Sequence, residues 1–385
     1  MRILSVIHTL DPARGGPAEA LRHYARQTAT MGHRQEVLTL DAPDAPWLRD
    51  FPAPVHALGP AWNGYGFTPR LRPWLLRNAG GFDAVVVHGL WQYHGLAVRQ
   101  ALHGSATPYF VFFHGMLDPW FRHRYPLKHL KKWLYWPWAD YRVARDARAV
   151  LFTAQEEMQR AAQSFRLYRV RPAVVGYGLA LDAAARQASA EDLLALYPAL
   201  RGKRIVLFLS RLHEKKGCDL LLEAFARVAG SDPALHLVMA GPDAGGLRPA
   251  LERRATELGI AQRVTWSGML AGRVKWGALR AAEVFALPSH HENFGVAVAE
   301  ALAMGVPVLI STRVNIWREI VAAGAGFAGD DSADGAAALL ARWLALTPGD
   351  RAVMGGRASA CYSNHFRIEA AAARFIDTLG APGRP

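Results

Sequence analysis

The chain has few cysteines, no long hydrophobic run and a shortage of acidic residues. Two cysteines among 385 residues, Cys218 and Cys361, cannot form a disulfide framework or a four-thiolate zinc site. No apolar run reaches the roughly eighteen residues of a membrane-spanning helix, so none is expected. The apolar start at Ile3–Ile7 is too short for a signal-peptide core. We therefore expect a buried first strand and a cytoplasmic protein.

The shortage of acids leaves 45 Lys and Arg against 32 Asp and Glu, a net charge of +13. Such an excess predicts a partner that carries phosphates or an anionic surface. Hydrophobic residues make up 51% and charged residues 20% of the chain, a globular composition that excludes a disordered or fibrous protein.

Short apolar runs alternate with longer helical patterns, which predicts parallel α/β sheets. The length and the pattern predict two doubly wound domains, at 1–180 and 195–360. A last amphipathic helix, at about 365–380, is free to pack back on the first domain. Ligands of such sheets bind at the carboxyl ends of the strands, so functional residues are expected just after strands. The predicted strands are Ile3–Ile7, Glu36–Thr39, Ala84–His88, Tyr109–Phe113, Val150–Thr153, Ala173–Val175, Ile205–Ser210, Leu235–Ala240, Val264–Trp266, Val284–Leu287 and Val308–Ser311.

Two carboxylates follow the predicted strand Val284–Leu287. Glu292 falls in the loop and Glu300 in the helix after it, where the surrounding residues are apolar. Between them, the backbone N–H groups of 293–295 (Asn293, Phe294 and Gly295) are expected at the helix N-terminus, a favourable place for a diphosphate. The carboxylates then suit the hydroxyls of a hexose and a ribose. The alternative is a pair of solvated charges, but a buried Glu300 would be costly without a partner.

A second polar cluster follows the predicted strand Ile205–Ser210. Arg211 at the strand end and Lys216 before the next helix can neutralise a diphosphate without a metal. A solvated charge run is the alternative. Two further strand-end loops, at Gly241 and Met269, are candidates to flank a nucleotide base.

Together these motifs resemble the retaining glycosyltransferases of family 4, and the resemblance covers nearly the whole chain. The residues that carry it are Arg211-x4-Lys216-Gly217, Gly241-Pro242-Asp243, Ser267-Gly268 and Glu292-x(7)-Glu300. The resemblance implies the GT-B fold, in which two Rossmann-like domains face each other across a cleft. It also implies that Arg211 and Lys216 bind the diphosphate, that Glu292 binds the donor sugar and that Glu300 binds the ribose.

The resemblance extends to the first half of the chain. Gly15 and Gly16 resemble the family's glycine loop at the donor phosphate and the acceptor. His114 matches the histidine that contacts the donor hexose, whereas His88 and Asp118 are weaker acceptor-side candidates.

No metal or other cofactor is expected, since the family has no obligate metal and the chain has no Asp-x-Asp motif. Retention implies a front-face displacement in which the departing diphosphate takes the acceptor's proton. No carboxylate is clearly placed as a nucleophile, so no catalytic base is assigned.

The segment 120–138 contains four Trp, two Tyr, two Arg, three Lys and no acid. This composition is typical of a surface that contacts the headgroups of an anionic membrane. The alternatives are aromatic residues in the core under a solvated basic face, and nucleic-acid binding, for which no recognised module is present. The residues predicted to contact the membrane are Trp120, Arg122, Lys128, Lys131, Lys132, Trp133 and Trp136.

The sequence thus predicts a hexosyltransferase that uses a UDP- or GDP-linked sugar and a lipid-linked or polysaccharide acceptor, at the inner face of a bacterial membrane. A nucleotide-sugar 2-epimerase shares the two-domain architecture, but it would convert the donor without any acceptor. A phosphorylase would need a cofactor-bearing lysine, for which no context is found. A non-enzymatic peripheral membrane protein would bind no nucleotide.

Overall fold

The computed structural model describes residues 1–14, 16–120 and 126–381. The chain divides into two compact units, of which the first comprises Met1–Gly178 with Ile368–Pro385 and the second comprises Leu179–Arg367. Each unit contains its own parallel sheet. No helix among the described residues is both long and apolar enough to cross a bilayer.

The first unit has a seven-stranded sheet in the order β3-β2-β1-β4-β5-β6-β7, with every pair parallel. Its strands are β1 (Arg2–Ile7), β2 (Arg34–Thr39), β3 (Val55–Ala57), β4 (Ala84–His88), β5 (Tyr109–Phe112), β6 (Val150–Phe152) and β7 (Pro172–Val174). Its first six helices are α1 (Gly16–Thr30), α2 (Leu71–Asn78), α3 (Tyr93–Leu102), α4 (Pro126–Tyr135), α5 (Asp140–Asp146) and α6 (Gln155–Ala161). The central strands are buried on both faces, which explains why they appear in the sequence as continuous apolar runs.

The second unit has a six-stranded parallel sheet in the order β10-β9-β8-β11-β12-β13. Its strands are β8 (Arg204–Leu209), β9 (Leu235–Ala240), β10 (Val264–Gly268), β11 (Ala282–Leu287), β12 (Val308–Ser311) and β13 (Gly326–Gly329). Its helices are α7 (Ala183–Gln187), α8 (Glu191–Leu194), α9 (Cys218–Ala229), α10 (Arg248–Glu257), α11 (Gly272–Ala281), α12 (Val296–Ala303), α13 (Trp317–Ala322), α14 (Ala333–Leu344) and α15 (Pro348–Cys361). The predicted α/β class with two Rossmann-like sheets is confirmed.

The chain returns to the first unit with its last helix, α16 (Ile368–Gly380). Phe375 of this helix lies against the ring of Tyr24 from α1, with ring centroids 5.0 Å apart, and joins one core cluster with Phe110 and Phe112 of β5. The apolar face of α16 therefore covers part of one face of the first sheet.

The strand order reverses once in each sheet, between β1 and β4 in the first unit and between β8 and β11 in the second. At such a switch point the connections leave the two neighbouring strands on opposite sides, which opens a crevice at their carboxyl ends. These two places position the candidate sites.

Candidate functional site

The loops after β8 and β11 meet at the switch point of the second sheet. The backbone N–H of His290 and the hydroxyl of Ser289 both donate to the carbonyl of Lys215, at 2.9 and 2.8 Å. Gly217, in the loop after β8, has φ +65°, and a Cβ at this position would clash with the carbonyl oxygen of Pro288 in the loop after β11. Glycine is therefore required here for the close approach of the two loops.

This approach places Lys216 against Glu292. The Lys216 ammonium forms an ion pair and a hydrogen bond with the Glu292 carboxylate. Burial alone would raise the pKa of Glu292, but the charge and hydrogen bond of Lys216, reinforced by Lys215, hold that pKa below its ordinary value. Glu292 is therefore an ionised hydrogen-bond acceptor beside a cation.

The backbone of Glu292 is also fixed from the loop after β12. Its N–H donates to the carbonyl of Arg313 at 3.0 Å, and its own carbonyl accepts from the N–H of Asn315 at 3.0 Å. The Asn315 side chain donates to the Asn293 side chain at 3.3 Å. The loops after β8 and β12 thus hold this short segment of the loop after β11 in place.

The start of α12 follows directly. Gly295 has φ +78° and precedes the first helical residue, Val296. The Phe294 side chain is buried and meets the ring of Phe366 edge-on, with centroids 5.6 Å apart. The predicted anion position at the N-terminus of α12 therefore directly follows Glu292, the ion-pair partner of Lys216.

Glu300 lies in the second turn of α12 and is 7% exposed. Its carboxylate accepts from the ammonium of Lys275 in α11 at 2.7 Å. Burial raises the pKa of Glu300, and the charge of Lys275 offsets only part of that rise. Lys275 is a site residue that the sequence analysis missed, although a buried Glu300 required some partner.

Arg211 and Gly241 lie at the ends of the neighbouring strands β8 and β9. The loops join where the N–H of Leu212 donates to the carbonyl of Pro242 at 2.9 Å. The Arg211 side chain is exposed, and within the described part of the chain it forms no ion pair. The predicted residue Met269, after β10, is largely exposed. Arg211 is therefore a cation available at the same edge of the sheet as Lys216.

The loop after β5 brings His114 back onto the first sheet. Its ring stacks on Phe112 with centroids 4.3 Å apart, and its Nε2 lies 3.0 Å from Nδ1 of His88. Burial lowers the pKa of His114 to about 3. Burial, followed by the nearby His114 and His94, lowers the pKa of His88 well below its ordinary value. Both predicted histidines are therefore neutral and directly hydrogen-bonded to each other.

A cavity of about 450 Å³ opens at the switch point of the first sheet. His88 at the end of β4 lines it, and Gly16 begins α1, whose residues Pro17 and Ala18 form part of the wall. The remaining lining residues are Ile7, His8, Thr9, Asn63, Gly64, Gln92 and Met116. Gly15 lies outside the described residues.

Asp118 does not line this cavity. It is buried, accepts from the backbone N–H of Trp120 at 2.8 Å and pairs with Arg160 at 3.5 Å. Its contacts hold the loop after β5, and they give no support to an acceptor-side role.

The aromatic-basic segment 120–138 is divided between core and surface. The membrane-contact prediction for Trp136 is wrong, because its side chain is 1% exposed, stacks on Phe165 at 4.7 Å and donates to the Leu167 carbonyl at 2.7 Å. Lys132 is half-buried over the ring of Trp91, whereas Lys131 and Trp133 are exposed. Arg122 and the side chain of Lys128 lie outside the described residues.

No group of three or more His, Cys, Asp and Glu residues within the described ranges is arranged to hold a metal ion.

The two parallel α/β sheets define a protein of the GT-B fold. Solved structures of this fold align with nearly the whole chain. Anabaena HepE in complex with UDP has a TM-score of 0.79 at 20% identity, covering 98% of this chain and 99% of that one. Sucrose-phosphate synthase from Thermosynechococcus elongatus has a TM-score of 0.75 at 19% identity, covering 98% of each chain.

Each half of the chain matches a glycosyltransferase family. Residues 15–178 match the glycosyl transferase 4-like domain, and residues 197–359 match the glycosyl transferases group 1 family. Together these matches support a glycosyltransferase of the GT4 type.

Curated relatives match the sequence of this chain over a shorter stretch than the solved structures do. D-inositol 3-phosphate glycosyltransferase of Thermomonospora curvata is 40% identical over 149 residues, which is 36% of this chain and 34% of the relative. Mannosylfructose-phosphate synthase of Agrobacterium fabrum is 33% identical over 123 residues, which is 30% of this chain and 27% of that protein. The matched stretch thus spans about a third of the length of these curated relatives.

Proposed function

We propose that this protein is a retaining, metal-independent glycosyltransferase that transfers a hexose from a UDP- or GDP-linked sugar. The observation that carries the proposal is the pairing of Lys216 with Glu292 and of Lys275 with Glu300 at one edge of the second sheet. Two carboxylates held by cations at the carboxyl ends of parallel strands suit a ligand that has both hydroxyls and phosphates.

The diphosphate is the natural ligand for the cations. Arg211 has no ion-pair partner among the described residues, and Lys216 pairs with Glu292, which lies just before the N-terminus of α12. Both charges, with the positive end of the helix dipole, stabilise the negative charge that grows on the departing nucleoside diphosphate. This is the role that Lewis-acid metals perform in other transferases, which is why the proposal needs none.

The two carboxylates accept hydrogen bonds from the sugar hydroxyls. Glu292, ionised and held by the loops after β8 and β12, accepts from hydroxyls of the donor hexose. Glu300, inside an apolar helix and paired with Lys275, accepts from hydroxyls of the ribose. A carboxylate accepts such bonds at fixed geometry without competing water, so the two residues position the anomeric carbon and the nucleotide.

The reaction itself is a front-face displacement. The bond between the anomeric carbon and the phosphate oxygen breaks, and the acceptor oxygen bonds to that carbon on the same face. The acceptor proton moves to the departing diphosphate, so no protein base is required. His114 takes part as a neutral hydrogen-bonding group to the hexose, consistent with a pKa lowered by burial to about 3.

For the acceptor we propose a lipid-linked or polysaccharide hydroxyl in bacterial surface polysaccharide biosynthesis, with the enzyme peripherally associated with the inner face of the cell membrane. WaaG, which is involved in lipopolysaccharide biosynthesis, shares the fold with a TM-score of 0.65 at 17% identity. The names of the sequence relatives favour a second candidate, a small phosphorylated polyol or sugar. The cavity at the first switch point is the proposed acceptor position for either class.

A thermal-shift panel of UDP, GDP, ADP and their sugars tests the donor site. A ligand present at 100 times its dissociation constant adds about 2.7 kcal/mol of stability, so one member should raise the melting temperature clearly. Exposed Arg253→Ala serves as a matched control for Arg211→Ala, which should reduce the shift. If no nucleotide raises the melting temperature, the transferase proposal fails.

Product analysis separates the remaining possibilities. Incubation with the stabilising donor and an acceptor extract should yield a product whose anomeric configuration, read by NMR, equals that of the donor. An inverted product would refute the front-face displacement. Conversion of the donor sugar without acceptor would assign the site to an epimerase instead.

A further inference from the structure

Helix α4 turns its apolar side chains outward. Leu127, Leu130, Trp133 and Leu134 are 79, 55, 55 and 60% exposed, and Trp138 just after the helix is 53% exposed. We call these five side chains the α4 face. Leu127, Leu130 and Leu134 recur at helical spacing, so they form one continuous stripe along the helix.

The inward side of the same helix is polar. The His129 ring stacks on Phe165 at 5.1 Å, the Lys132 ammonium lies 4.5 Å above the ring of Trp91, and the Tyr135 hydroxyl lies 2.7 Å from that of Tyr65. A surface helix of a globular protein normally has the opposite arrangement, with its apolar stripe facing the core. The outward stripe of α4 therefore requires an apolar partner outside the unit.

Cations surround this stripe. Lys131 on α4 and Arg142 and Arg145 on α5 are exposed. The stretch from Arg122 to Arg148 contains eight Lys or Arg against Asp140 and Asp146, a local charge of +6. Leucine and tryptophan beside cations match the headgroup layer of an anionic bilayer, where the apolar groups reach the acyl boundary and the cations meet phosphates. A second copy of this chain would instead bring two such cationic surfaces together.

We infer that the α4 face docks this protein on the surface of an anionic lipid bilayer. The inference deepens the proposed function, because it supplies the partner surface for a lipid-linked acceptor, but docking itself requires neither donor nor reaction. The inward contacts of α4 fall on chain neighbours of two residues that line the proposed acceptor cavity. Tyr65 and Trp91 directly adjoin Gly64 and Gln92, which line that cavity.

Co-sedimentation with vesicles tests the docking. The protein should bind vesicles of equal parts phosphatidylglycerol and phosphatidylcholine. Its affinity for vesicles of phosphatidylcholine alone should be lower by about tenfold or more. Leu130→Ser combined with Leu134→Ser should weaken binding by at least about tenfold, because two exposed leucines lose their place in the acyl boundary. Lys131→Glu should weaken it by about tenfold or more, and added salt should reduce that effect.

Matched controls keep the test on the α4 face. Leu196→Ser replaces a leucine of the second unit that is 62% exposed, and Arg253→Glu reverses an exposed charge there. Both should bind vesicles as the unaltered protein does, and unchanged melting temperatures show that all variants fold. Quenching by brominated lipids should fall in Trp133→Phe, which locates the contact.

Three results overturn the inference. The protein could fail to bind anionic vesicles, or bind them with the α4-face variants no weaker than the controls. It could also form a dimer by light scattering that Leu130→Ser dissociates, which would assign the face to a second copy. A negative vesicle result with a positive nucleotide thermal shift would leave the transferase proposal standing.

Discussion

Replacing Glu300 by glutamine tests the ribose assignment with little change of shape. In the structure, the carboxylate is 7% exposed and accepts from the Lys275 ammonium at 2.7 Å. Glutamine keeps the side-chain length and one accepting oxygen, but it loses the charge. We therefore expect the Glu300→Gln protein to fold and to bind its nucleoside diphosphate more weakly.

The magnitude follows from the type of bond that is lost. A hydrogen bond to a charged group contributes about 1.5–3 kcal/mol, and the amide oxygen of glutamine replaces at most one of the two that a ribose diol donates. Since about 1.4 kcal/mol is a factor of ten in affinity, the dissociation constant should rise about 10- to 100-fold. The buried environment of Glu300 places the expected value toward the upper end, because water competes little there.

Titration calorimetry with the diphosphate that gives the largest thermal shift, and with its 2′-deoxy analogue, measures the effect as a double-mutant cycle. The unaltered protein should lose affinity for the deoxy compound, and Glu300→Gln should lose little more. Lys275→Arg is the matched control, since it alters the same ion pair but keeps a cation beside the buried carboxylate. It should keep the ribose discrimination. If the deoxy compound costs both Glu300→Gln and the unaltered protein the same affinity, Glu300 does not bind the ribose.

Three further predictions address turnover, loop geometry and pH. Glu292→Gln should lower kcat about 100-fold or more while nucleotide affinity stays within about threefold, because Lys216 keeps its charge; equal losses in both would refute the hexose assignment. Gly241→Ala should destabilise the protein by more than about 2 kcal/mol, because its φ of +143° suits glycine and a Cβ there would clash with the Ser210 carbonyl. Gly246→Ala, at φ +68° with open space around it, should cost only about 1 kcal/mol in the same denaturant melts. Burial raises the pKa of Asp140 to about 7, so the folded state holds a proton that the unfolded chain releases, and stability falls as pH rises from about 4 to 7. The free energy of unfolding of Asp140→Asn, relative to that of the unaltered protein, should therefore increase by about 2–4 kcal/mol between pH 5 and pH 8, as measured by melts across that range. A difference that stays constant with pH would show that Asp140 does not titrate there.

The sequence was informative wherever burial on both faces of a sheet fixes residue type. Strands β4, β9 and β12 have the predicted bounds because each is a short, mostly apolar run between helical patterns. The edge strands β3 and β13 were not predicted. Val55–Ala57 is three residues long and half-buried, and Gly326–Gly329 contains two glycines, so neither forms an apolar run.

Partners and facing directions were harder to predict. Lys275 pairs with Glu300 from a different helix, and no spacing rule connects residues that are brought together by the packing of α11 and α12. Trp133 and Trp136 lie in the same aromatic-basic segment, yet Trp133 is exposed and Trp136 is stacked in the core. Composition identifies an aromatic-basic segment, but only the neighbours of each side chain decide which way it faces.

The two switch points explain why polar residues concentrate where they do. At the carboxyl ends of β8 and β11 the connections leave on opposite sides of the sheet, so side chains there escape the apolar requirement that governs the rest of the sheet. A partly buried charge in such a place is costly unless it is paired, and Lys216 and Glu292 satisfy each other without a ligand. A nucleotide sugar carries phosphates for the cation and hydroxyls for the carboxylate. It can therefore replace this ion pair with two separate interactions and leave neither charge unpaired.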